Sequence, residues 1–239
     1  NFNPVSGGDA GSFVIQPAAT TTAVTCSAGP FVYNGGPHEP CAAVATGPGG
    51  LNQAVPVVYA DNTNAGTAAA GATYPGSGNY APSNGSATFT IDKADPVLSI
   101  TNSPATYDGT AKTAAVSGSV VGSVSNVKYN GSATEPVGAG SYAVTADFVP
   151  DDGANYSAIS GTVVGSFVIN KADPTLSITN SPADYDGTPK AANVVGSVPG
   201  TASNLTYNTI GASPTNAGTY AVNADFLPQD TDNYNSLTG

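Results

Sequence analysis

Apolar and polar residues alternate over short stretches of this chain, and nowhere do they follow the three-to-four spacing of a helix. Val97-Leu98-Ser99-Ile100, Tyr142-Ala143-Val144-Thr145-Ala146 and Val163-Val164-Gly165-Ser166-Phe167-Val168-Ile169 are examples. Gly, Pro, Asn and Asp clusters bound them, which is the signature of short antiparallel strands. Asp-Gly after Tyr107 and after Tyr185 predicts tight hairpin turns. The expected fold class is all-β, as immunoglobulin-like antiparallel β-sandwiches of about seven strands each.

The pattern repeats. Tyr107-Asp108-Gly109-Thr110 returns as Tyr185-Asp186-Gly187-Thr188, and more loosely as Tyr33-Asn34-Gly35. Asn79-Tyr80, Asn155-Tyr156 and Asn233-Tyr234 form a second column, and Ala65-Gly66, Ala139-Gly140 and Ala217-Gly218 a third. Phe13, Phe89 and Phe167 open closing segments of the form Phe-x-Ile, spaced 76 and 78 residues apart. The expected domains are a terminal strand segment over 1–15 and repeats over 16–92, 93–170 and 171–239, the last lacking its final strand. Residues 1–15 read either as a donor strand or as the end of a preceding repeat. Ile91-Asp92-Lys93-Ala94-Asp95-Pro96 and its counterpart Ile169 to Pro174 leave only short linkers, stiffened by proline. The expectation is an extended rod; with strands of roughly ten residues at about 3.3 Å each, three units reach about 100 Å. All 12 tyrosines fall on repeated positions, which reads as core and corner packing, since a carbohydrate-binding platform would occur once or on a variable loop.

Composition narrows the function. The 29 glycines and 19 prolines follow the period, so they mark turns and not disorder. A net charge of −11 with five basic residues excludes nucleic acid as a partner, because phosphate binding needs clustered Lys or Arg. It also argues against docking on anionic lipid. No run of 18 apolar residues is present, so no helical membrane insertion is expected. The two cysteines, Cys26 and Cys41, lie on either side of Tyr33 on strands expected to return past each other. They are either a disulfide, implying an oxidising compartment, or two separate buried thiols.

Together, Tyr-Asp-Gly-Thr, Ala-Gly-Thr-Tyr-Ala-Val, Asn-Tyr and Phe-x-Ile-x-Lys-Ala resemble the bacterial immunoglobulin-like repeats called MBG domains, most cleanly over residues 93–239. The resemblance implies a secreted or surface-anchored, adhesin-like bacterial protein without catalytic activity. The first repeat departs from the pattern, with Gln16-Pro17 at its entry and the cysteine pair.

The termini fall at different points of the repeat. Asn233 to Gly239 matches Asn155 to Gly161, after which the middle repeat continues through its closing strand. Gly11-Ser12-Phe13-Val14-Ile15 is identical to the end of that strand, Gly165 to Ile169. Residues 8–15 are thus the segment that the third repeat needs. The expectation is a head-to-tail homopolymer in which Gly11, Ser12, Phe13, Val14 and Ile15 of one chain complete a core holding Ile178, Tyr220, Phe226 and Tyr234 of another. The alternative is a window on a longer covalent array, as the stalk or ligand-binding segment of a large adhesin. In a ligand-binding reading, the cysteine-bracketed loop Ser27 to Pro40 is the part to test.

Chemistry is sparse. The single histidine, His38, aligns with Lys112 and Lys190 and reads as a polar turn position; no nucleophile–base pair stands out, so no enzyme is expected. Asp151-Asp152 and Asp230-Thr231-Asp232 read as turn formers. No cofactor is expected; calcium on Asp230, Asp232 and Asn233, or on Asp92 and Asp95, is the one metal candidate. Lys112 or Lys190 with Asn170 is the candidate for an isopeptide crosslink, and four Asn-x-Ser/Thr sites are attributed to composition.

Overall fold

The computed structural model describes residues 7–8 and 11–239. Part of the terminal segment 1–15 therefore lies outside the described residues. The chain divides into two compact units. One runs to Asp95 and takes in Asp152–Ser157; the other comprises Pro96–Asp151 and Ala158–Gly239.

Among its described residues the first unit holds seven strands: β1 (Thr21–Cys26), β2 (Phe31–Val32), β3 (Cys41–Gly47), β4 (Leu51–Val55), β5 (Val57–Ala60), β6 (Gly66–Tyr74) and β7 (Ser83–Asp92). They form two sheets, ordered β1-β3-β4 and β2-β7-β6-β5. Pro56 alone separates β4 from β5. Lacking an N–H, it interrupts the ladder where the chain changes sheets. Burial alternates along the strands: Ala43 and Ala45 on β3, Ala68, Ala70, Ala72 and Tyr74 on β6, Phe89 and Ile91 on β7 face inward. Cys26 and Cys41 stand directly opposite each other on β1 and β3 and are joined by a disulfide.

The second unit contains two repeats. The first has β8 (Leu98–Ile100), β9 (Ala105–Thr106), β10 (Val116–Gly118), β11 (Gly122–Tyr129), β12 (Gly140–Pro150) and β13 (Ile159–Asn170). β8 pairs with β10, and the larger sheet runs β11-β12-β13-β9, with β9 parallel to β13. Phe148, Phe167 and Ile169 lie at the centre, each at most 2% exposed. Glycine is required beside Phe148: a Cβ on Gly122 would stand 2.4 Å from the Val149 carbonyl oxygen and 2.6 Å from the Phe148 ring.

The last repeat shows β14 (Leu176–Ile178), β15 (Val194–Gly196), β16 (Gly200–Tyr207) and β17 (Val222–Pro228). These form two two-stranded ladders, β14-β15 and β16-β17. β17 has 7 residues where its counterpart β12 has 11. The stretch equivalent to β9, residues 183–184, belongs to no strand. Both differences follow from one cause. β9 and the start of β12 are ordered by the ladder of β13, and no described strand occupies that place in the last repeat.

The Asp-Gly turns depart from the sequence expectation. The turn at Asp108 leads from β9 in one sheet to β10 in the other, so it is not the tip of a hairpin. Its geometry is fixed by the Asp108 carboxylate, which accepts bonds from the Thr110 backbone N–H and hydroxyl. Asp186 and Thr188 repeat this arrangement. The sequence signal marked a turn correctly, but an Asx turn carries no information about which strands it connects.

Candidate functional site

Two features recur at the repeat ends: a strand slot and a joint. In the middle repeat the slot is filled. β13 lies antiparallel to β12 with Tyr142 opposite Phe167, Ser141 opposite Val168 and Gly140 opposite Ile169. Ile100, Tyr107, Ala114, Tyr129, Tyr142 and Val144 gather around the buried Phe167 and Ile169.

In the last repeat the equivalent residues line an open groove of about 370 Å³: Ile178, Tyr185, Ala192, Tyr207, Tyr220 and Val222. Each lies 78 residues after its counterpart. The groove is thus the seat that Phe167 and Ile169 occupy one repeat earlier. Of the residues expected to form the acceptor core, Ile178 is 40% exposed and Tyr220 half-buried, both on the groove. Phe226 is buried beyond it, opposite Leu237, while Tyr234 belongs to the joint. Residues 12–15 belong to no strand, and Phe13, Val14 and Ile15 are 90%, 66% and 81% exposed.

The joint was not anticipated. The Asn155 Oδ1 accepts the backbone N–H of Ala65 at 2.9 Å, and its amide donates to Asp152 and Asn64. Tyr156 meets Tyr33 edge-on, with centroids 5.3 Å apart. Lys93 donates to the Gly153 carbonyl. The second unit repeats all but the Asn64 contact: Asn233 Oδ1 accepts the Ala139 N–H at 2.7 Å, Asp230 holds the Asn233 amide, and Tyr234 meets Tyr107 edge-on at 5.3 Å. Lys171 donates to the Thr231 carbonyl. Asn155-Tyr156 and Asn233-Tyr234 therefore serve contacts to the preceding repeat as well as their own turns. The signal was present as the Ala-Gly column, whose backbone N–H the asparagine takes.

Several of the charged groups have structural partners. Asp108 and Asp186 lie well below the usual carboxylate range, chiefly through hydrogen bonds from Lys112 and Lys190. Those ammonium groups, the isopeptide candidates, pair with these aspartates. Asp230 is lowered mainly by the Asn233 side chain. No group of three or more His, Cys, Asp or Glu that could hold a metal occurs among the described residues. His38 is half-buried beside Phe31 in the disulfide-bracketed loop.

The family model of the MBG domain matches residues 97–173 and again 174–236. No curated protein and no solved structure matches the chain.

Proposed function

Because the chain belongs to the MBG domain family, we propose that it is a non-catalytic structural protein of the bacterial cell surface, a fibre subunit assembled head to tail by strand complementation. Residues 8–15 of one copy would close the last repeat of the next. The observation that carries this reading is the match between the open groove and the filled one. Six groove residues repeat six residues around Phe167 and Ile169, and the exposed Gly11 to Ile15 repeats the strand segment that bears them. A strand entering the groove would gain both a ladder on β17 and burial of Phe and Ile side chains, about 1.5–3 kcal/mol for each. The partner is then the protein itself, outside the cell, where a disulfide persists.

A second reading, a stalk within a longer adhesin, rests on the joints: two are built within a single chain. Mass separates the two. Protein taken from its source should run as a large native particle that falls to about the 23.4 kDa chain on denaturation. A denatured mass far above one chain overturns the fibre reading and favours the stalk.

A further inference from the structure

We propose that copies meet at a second point, where the Asn79 carboxamide of one caps the Ala217 backbone N–H of another. The inference rests on the strand-complementation reading above. In both built joints the asparagine of the Asn-Tyr column accepts the N–H of an alanine in the preceding repeat, Ala65 or Ala139. The third members of the two columns lack this bond among the described residues. Ala217 is the third such alanine, is exposed, and its N–H makes no hydrogen bond among the described residues. Asn79 is the third such asparagine; its backbone carbonyl accepts the Ala18 N–H as Asn155 does that of Ala94, yet its carboxamide has no hydrogen-bond partner among the described residues.

Spacing ties the halves together. From the closing phenylalanine to the capping asparagine is 66 residues in both built joints, Phe89 to Asn155 and Phe167 to Asn233. Phe13 to Asn79 is again 66. Once Phe13 takes the place of Phe167 in the groove, Asn79 stands at the same remove along the chain from the acceptor face that carries Ala217. Tyr185, 66% exposed, supplies the face that Tyr33 and Tyr107 supply in the built joints. The tyrosine half differs. Tyr80 donates its hydroxyl to the Pro48 carbonyl and packs on its own core. Gly76 also replaces the bracing Asp152. The new contact is therefore the amide cap alone, and it should be weaker than the built ones.

The test measures self-association of the 239-residue chain by sedimentation velocity, with far-UV circular dichroism melts as a folding control. Asn79→Ala and Ala217→Pro each remove one half, and each should weaken association about fivefold, the size of one ordinary hydrogen bond. The double variant should be no weaker than either single one, since both delete the same bond. Phe13→Asp should abolish association by barring the strand from the groove. Loss with Phe13→Asp but none with Asn79→Ala overturns the cap and leaves strand complementation standing. Association that survives Phe13→Asp overturns strand complementation and the cap with it, as does an unaltered chain that stays monomeric.

Discussion

At the scale of single residues, tyrosine hydroxyls hold the sheets in register with the loops. The Ala114 N–H donates to the Tyr129 hydroxyl at 2.7 Å, and Ala192 to Tyr207 at the same distance. Both tyrosines are buried, so Tyr129→Phe strands a buried donor and should cost about 1–3 kcal/mol in urea unfolding. In the first repeat the same hydroxyl, that of Tyr59, both accepts the Cys41 N–H and donates to its carbonyl. Carboxylates act similarly. Asp147 is lowered below its ordinary value by the Gly161 N–H first and the Asn126 amide second. Its folded pKa is depressed, so its contribution is present above the unfolded value of about 3.9 and lost as pH falls through the lower folded one. An NMR titration should find the Asp147 midpoint below that of an unfolded-chain aspartate. Asn126→Ala should move it part of the way back; an unmoved midpoint would show that the backbone N–H acts alone.

At the scale of elements, the closeness of β11 and β12 leaves no room for a side chain at Gly122. Gly122→Ala pushes a methyl against a backbone oxygen, and overpacking of this kind should cost about 1–3 kcal/mol. The disulfide closes a separation of 15 residues around β2. Replacing Cys26 and Cys41 with serine should lower the stability of that sandwich by about 2–4 kcal/mol, read by denaturant unfolding. Most of this level was legible in the sequence. The alternation of Tyr142 to Ala146 and of Val163 to Ile169 placed β12 and β13, and the cysteine positions anticipated the cross-strand bond. Which strands pair was not legible, because alternation assigns a residue to a face and not to a neighbour. Hence Asp-Gly predicts a hairpin tip at Asp108, although this turn joins two sheets.

At the scale of the whole chain, the repeat itself was the legible feature, and the slot followed from laying the last repeat over the middle one. The joint was missed because aromatic columns read first as core, and a side-chain bond to a backbone N–H leaves little trace in residue type. A synthetic Gly-Ser-Phe-Val-Ile peptide added to the chain should slow amide exchange over residues 218–222, where β17 falls short of β12. Unchanged exchange there would argue that the groove rejects this strand. The parallel pairing of β9 with β13, Ala105 opposite Ile169 and Thr106 opposite Asn170, has a mechanical consequence. β9 lies near the entry of its repeat and β13 at the exit, so tension on the two ends drags these strands past each other. The rungs must then yield together, not one by one from an end. β2 and β7 repeat the arrangement with Phe31 opposite Ile91 and Val32 opposite Asp92. Under such a pull each of these two repeats would be loaded in shear.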